Sequence, residues 1–177
     1  MMRWTRIIVV LLVSLWVTQD WSAAADLILT NARTQVYFSP GGGATEALVK
    51  EISAARSEVL VQAYTLSSQP IVNALLDAHR RRVAVRLILD KSERFEGLTP
   101  GIILANAGVP VLLDGKHALA HSNVVIVDRQ TVITGSFAFT KAAEEMNSEN
   151  LLIIQSSPLA REYRDNWERH ASHSETQ

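Results

Sequence analysis

His121, Asp128, Gly135 and Ser136 fall within one short run, which reads H-x-N-x4-D-x6-G-S-x-A once Asn123 and Ala138 are included. An imidazole can attack an electrophile, or exchange a proton with a leaving group, near neutral pH. A serine hydroxyl and nearby backbone amides can steady negative charge on a reacting oxygen. A carboxylate such as Asp128 can organise a turn and the side chains around it. Asn123 adds an amide dipole on a short stem. A single histidine beside a strand is more often structural than catalytic. Four positions held at a fixed spacing carry more weight than any one of these side chains.

The other polar candidates carry less. The chain has no cysteine, which excludes thiol catalysis and cysteine-ligated metal. Five histidines are present, but no pair shows convincing ligand spacing with a carboxylate, so no metal and no cofactor is expected. Lys116 and His117 read as exposed loop residues, and His79, His170 and His173 as surface residues. Arg80-Arg81-Arg82 is the one dense basic cluster and reads as a solvated helix end.

The elements that must position these groups alternate short apolar runs with helical patterns, as in a mixed α/β domain. Strands are expected over 34–38, 58–64, 83–89, 109–113, 123–127, 131–134 and 150–155. Helices are expected over 44–55, from Pro70 to about Arg81, from Pro100 to about Ala107, over 140–146, and after Ser157-Pro158. The loop 114–120 delivers His121. Asp128-Arg129-Gln130 forms a tight turn, and Gly135-Ser136 follows the returning strand. Residues 172–177 are expected to be a disordered tail, and no internal duplication is apparent.

The first 25 residues have a different character. Arg3 and Arg6 precede an apolar run from Ile7 to Val17, and Ser22-Ala23-Ala24-Ala25 offers a small-residue cleavage site. This is the arrangement of a secretory signal peptide, short for a membrane span of about 20 residues. Its removal would leave residues 26–177, one domain over 26–171 with the tail, and no stable membrane insertion. Lys plus Arg would fall from 17 to 15 and Asp plus Glu from 18 to 17, for a formal net charge of −2. That balance advertises no polyanion partner. Export to a bacterial periplasm is the natural expectation.

The run from His121 to Ala138 resembles the phospholipase D superfamily motif, H-x-K-x4-D-x6-G-S-x-N. His121, Asp128, Gly135 and Ser136 match, while Asn123 replaces the lysine and Ala138 the asparagine. The flanking segments Phe139-Thr140-Lys141-Ala142-Ala143-Glu144 and Asn147-Ser148-Glu149-Asn150 are similar to the small single-motif endonucleases of that superfamily. The resemblance covers about residues 34–170. It implies an α/β/α sandwich, a mixed sheet with helices on both faces, and metal-independent hydrolysis of phosphodiesters in nucleic acid or phospholipid through a phosphohistidine. One motif copy implies a homodimer in which two His121 residues pair across a two-fold axis.

By the same resemblance Glu149 orients a catalytic histidine, while Ser136 and Asn123 face substrate. Asp128 ranks with His121 and Glu149 as a candidate catalytic residue, its nearer role being to organise the turn. Loss of the lysine and the second asparagine is expected to weaken turnover. The alternative is an inactive relative that binds a phosphorylated ligand or a protein partner in the old cleft.

Overall fold

The structure, a computed structural model, describes residues 24–94 and 99–176. The signal peptide expected over 1–25 lies almost wholly outside the described residues. The elements run β1 (Arg33–Ser39), α1 (Ala44–Ala54), β2 (Glu58–Ala63), α2 (Gln69–Arg80), β3 (Ala84–Asp90), α3 (Pro100–Asn106), β4 (Val111–Asp114), β5 (Val124–Val127), β6 (Thr131–Thr134), α4 (Lys141–Glu145), β7 (Glu149–Gln155), α5 (Ser157–Ala171) and β8 (Glu175–Thr176). They form one eight-stranded sheet in the order β1-β7-β6-β5-β2-β3-β4-β8. Strands β2, β3 and β4 are parallel, with α2 and α3 in the crossovers; β5, β6, β7 and β1 complete the sheet antiparallel. Among the described residues no helix is long and apolar enough to cross a membrane.

Alternation along the strands divides the core in two. Val59, Val61 and Ala63 of β2 face the larger cluster, which includes Leu48 and Ile52 of α1 and Ile71, Leu75 and Ala78 of α2. Leu60 points the other way, with Ile88, Ile126 and Val132, against Trp167 of α5. The Trp167 indole N–H donates to the Val61 carbonyl at 2.9 Å, so this large side chain is buried without an orphaned donor. The Arg86 guanidinium lies 4.3 Å over the same ring and pairs with Glu168. The expected mixed sheet with helices on both faces is therefore the observed fold.

The C-terminus departs from expectation. Residues 175–176 are not a loose tail; they pair antiparallel with β4, Leu112 opposite Thr176 and Leu113 opposite Glu175. The free edge of β4 supplies the unpaired backbone groups that make this favourable. An ion pair between Arg94 and Glu175 closes over it.

Candidate active site

Eight residues of interest lie at one end of the sheet. The C-termini of β1, β2, β3, β4 and β6 point to this end, together with the N-termini of β5 and β7. From one edge inward they bring Ser39 and Glu149, then Ser136, then Asn123 and His121, then Tyr64, and finally Asp90 and Asp114. His121 is exposed, and its ring lies against Tyr64 with centroids 4.8 Å apart and a 31° tilt.

The approach to His121 is fixed from below. Asp90 is buried; its Oδ2 accepts from the Ala120 amide at 2.7 Å and its Oδ1 from the Ser92 amide at 2.9 Å. Burial works against its charge, but the Ala120 amide and the Ser92 hydroxyl and amide outweigh that and hold its pKa below the ordinary value. Gly135 is required for a different reason. A Cβ there would meet the Asn150 carbonyl oxygen at 2.1 Å, so only glycine lets β7 pass this close.

Ser136 is exposed, and its hydroxyl oxygen accepts from both the backbone and side-chain N–H of Asn150, at 3.1 and 3.2 Å. A hydroxyl has two acceptor lone pairs and one donor. With both acceptors engaged, the O–H is left to donate outward. That suits a phosphoryl oxygen.

Asn123 is placed differently from the sequence-based expectation of substrate contact. It is 5% exposed; its Oδ1 accepts from the Tyr64 amide and its Nδ2 donates to the Ser136 carbonyl, each at 3.5 Å. The side chain ties the end of β2 to the segment after β6. Ala138, the other replaced position, packs against the apolar core.

Glu149 lies at the expected end of the sheet. Its Oε1 accepts from Asn147 Nδ2 at 3.1 Å and its amide donates to Ser39 Oγ at 3.2 Å. Among the described residues no hydrogen bond joins it to His121, so this chain by itself does not display the orienting contact.

Asp128 is the clear correction. It follows the last residue of β5, whereas His121 precedes the first, so the two lie at opposite ends of the strand. Five residues of strand from Asn123 to Asp128 span about 16 Å. Its carboxylate accepts from the amides of Arg56, Ser57 and Glu58 and from the Ser57 hydroxyl, at 2.8–3.2 Å. Burial opposes its ionisation, but the amides of Glu58, Ser57 and Arg56 prevail and lower its pKa. Asp128, at φ +51°, therefore locks the α1–β2 connection to the β5–β6 turn, at the opposite end of β5 from His121.

The histidines expected at the surface also moved. His117, His170 and His173 are partly buried and gather around Asp114, whose carboxylate is wholly buried. Burial again works against that charge, and hydrogen bonds from His170 and His117 hold the carboxyl well below the usual carboxylate range. The sequence signal was present as two i,i+3 pairs, Asp114/His117 and His170/His173. Only the sheet shows that the pairs meet.

A concavity lined in part by Thr45, Val49, Ser68 and Lys141 lies among α1, α2 and α4 and does not include His121. At the motif end of the sheet His121 and Ser136 are both exposed.

Comparison with known proteins agrees with this geometry. Residues 48–171 match the family model described as "Cardiolipin synthase, PLD-like domain". Phospholipase D of Rickettsia felis is 38% identical over 139 residues, 78% of this chain and 70% of that protein. The mitochondrial cardiolipin hydrolase of Xenopus laevis is 35% identical over 122 residues, 69% of this chain and 58% of that protein. Among solved structures, Nuc from Salmonella typhimurium, a phospholipase D family member, superposes with a TM-score of 0.76 at 34% identity, covering 82% of this chain and 98% of Nuc.

Proposed function

We propose that this chain, which belongs to the phospholipase D-like family, hydrolyses phosphodiester bonds with the His121 imidazole as the attacking group. The observation that carries the reading is the position of His121: exposed at the sheet end, braced by Tyr64, with the exposed Ser136 hydroxyl just past the end of the neighbouring strand. The imidazole of one protomer forms a P–N bond while the P–O bond to the leaving group breaks. A second, protonated imidazole gives its proton to the departing oxygen. Water then attacks the phosphohistidine, the second imidazole takes the water's proton, and the P–N bond opens to release the phosphomonoester.

The second imidazole has to come from another copy of the chain. His117, His170 and His173 are held around Asp114, and His79 sits in the last turn of α2. A pairing surface supports this. The register Val36–Leu152–Thr134–Val124 places Val36 on the face that α5 covers, and Phe38 lies on the same face two residues on. α5 packs on β6, β5, β2 and β4, and Val36 and Phe38 beyond it remain 53% and 65% exposed. Phe38 faces Asn150, the partner of Ser136, so the apolar strip runs into the site. In the pair Glu149 exchanges Asn147 for an imidazole and fixes its tautomer.

One observation favours a second reading, a relative that binds phosphorylated ligands with little turnover. Asn123 is buried and engaged by backbone, so it does not bring the charge that a motif lysine would. Turnover assayed in chelator with a chromogenic phosphodiester, single-stranded DNA and cardiolipin vesicles separates the readings. Hydrolysis abolished by His121→Ala supports the enzyme and reveals its substrate class. Binding without hydrolysis, with turnover appearing in the Asn123→Lys/Ala138→Asn variant, supports the second. Residues 1–25, read as a cleaved leader, would send the mature protein to the periplasm, which cell fractionation tests.

A further inference from the structure

We propose that Asp114, His117, His170 and His173 form a structural binding site for one divalent transition metal, with Zn2+ the best match. The proposal is independent of the phosphodiesterase reading. One ligand atom from each residue lies within 4.8 Å of all the others. From the Asp114 carboxylate the separations are 2.9 Å to His117 Nδ1, 3.0 Å to His170 Nδ1 and 3.6 Å to His173 Nε2. The three imidazole rings stand 4.9, 5.3 and 5.4 Å apart, centroid to centroid.

The grouping is compact enough to close into a tetrahedron around one ion. With Zn–N and Zn–O bonds of about 2.0–2.1 Å, neighbouring ligand atoms sit about 3.3–3.4 Å apart. The His117 and His170 contacts, both to Asp114 Oδ2, lie a few tenths of an ångström inside that value, and the His173 contact, to Oδ1, a few tenths outside it. Three imidazoles and one carboxylate suit a borderline cation such as Zn2+ better than Mg2+ or Ca2+, which favour all-oxygen sets. Four protein ligands also close the coordination sphere, as structural zinc sites do.

The four ligands join segments distant in sequence: the end of β4, the loop leading to His121, and the last turn of α5 with the residue pair beyond it. The ion would clamp the C-terminus, including β8, to the sheet, and would fix the loop whose Ala120 amide is held by Asp90. Strand spacing puts Asp114 about 14 Å from β5, so the metal would act on His121 through the loop and not at the reacting atoms.

The test uses untagged full-length mature protein, stripped with chelator and titrated with Zn2+ and separately with Co2+. The expected result is one equivalent of Zn2+ bound per chain, a raised unfolding midpoint, and the visible absorption of tetrahedral Co2+. His117→Ala and His173→Ala should each weaken Zn2+ binding on the order of 100-fold or more, beyond the loss usual for an outer-sphere partner, while His79→Ala leaves it unchanged. Circular dichroism of the stripped variants should match that of the stripped parent, which separates ligand loss from misfolding. Zn2+ that neither binds at one equivalent nor shifts the midpoint would overturn the site, as would full binding by a His117→Ala/His173→Ala double variant.

Discussion

The ring of Tyr64, one residue beyond β2, packs on the ring of His121, one strand away, at 4.8 Å between centroids. An exposed imidazole on a loop has several accessible rotamers, and a nucleophile must hold one of them. Tyr64 therefore acts as a positioning residue. Tyr64→Ala should lower kcat by up to about a hundredfold, the cost of roughly 1 Å of misplacement, with KM little changed. Tyr64→Phe, which keeps the ring, should retain most of the rate. Equal loss in both variants would show that the hydroxyl matters and the packing does not.

Restoring the two replaced motif positions should raise turnover. A single well-placed transition-state donor is worth about 2.7–4 kcal/mol, or about 10²–10³ in rate. Asn123→Lys with Ala138→Asn supplies one charged and one neutral donor per protomer. Stability should fall, because Asn123 is buried and Ala138 packs against the core, so a lysine and an asparagine there cost desolvation and space. Steady-state kinetics beside thermal unfolding checks both halves; an unfolded double variant would show that Asn123 is a packing residue.

Asp128→Asn should cost stability and leave the chemistry alone. It weakens a carboxylate that accepts from Arg56, Ser57 and Glu58, a loss of about 2–3 kcal/mol at pH 7. The sign with pH follows from the lowered pKa values of Asp128 and Asp90. Their stabilisation is fully present above the unfolded carboxylate value of about 3.9 and disappears as pH falls through the lower folded values. Denaturant melts should therefore show the gap between Asp128→Asn and the parent closing below about pH 4. A gap that stays constant to the lowest pH would contradict this.

Gly135→Ala should disturb the site through the backbone. The new methyl group meets the Asn150 carbonyl, so β7 must move and the Asn150–Ser136 hydrogen bonds move with it. Overpacking of this kind costs about 1–3 kcal/mol, and turnover should fall even where the variant remains folded. Normal kinetics from a folded Gly135→Ala would argue that Ser136 takes no part.

Much of this was legible in the chain because its strands are short, apolar and bounded by turn residues. The placement of His121 and Ser136 at one sheet end also follows from the strand–turn–strand pattern between them. That same pattern contradicts a catalytic Asp128, since a four-residue strand separates it from His121; motif membership and site membership differ here. The burial of Asn123 depends on neighbours from β2 and the segment after β6, which no local pattern reveals. The Asp114–histidine cluster and β8 escaped for a related reason. Each depends on β4 meeting the C-terminus, a polar segment with no hydrophobic signature of its own.

The central claim is that His121 attacks phosphorus, and the covalent adduct tests it most directly. Mature protein would be mixed with an excess of phosphodiester, quenched in alkali to preserve P–N bonds, and mapped by peptide mass spectrometry. The account predicts a phosphoryl adduct on His121 that forms and decays with turnover and is absent from His121→Ala. Sustained hydrolysis with no adduct on His121, and an undiminished rate in His121→Ala, would contradict it.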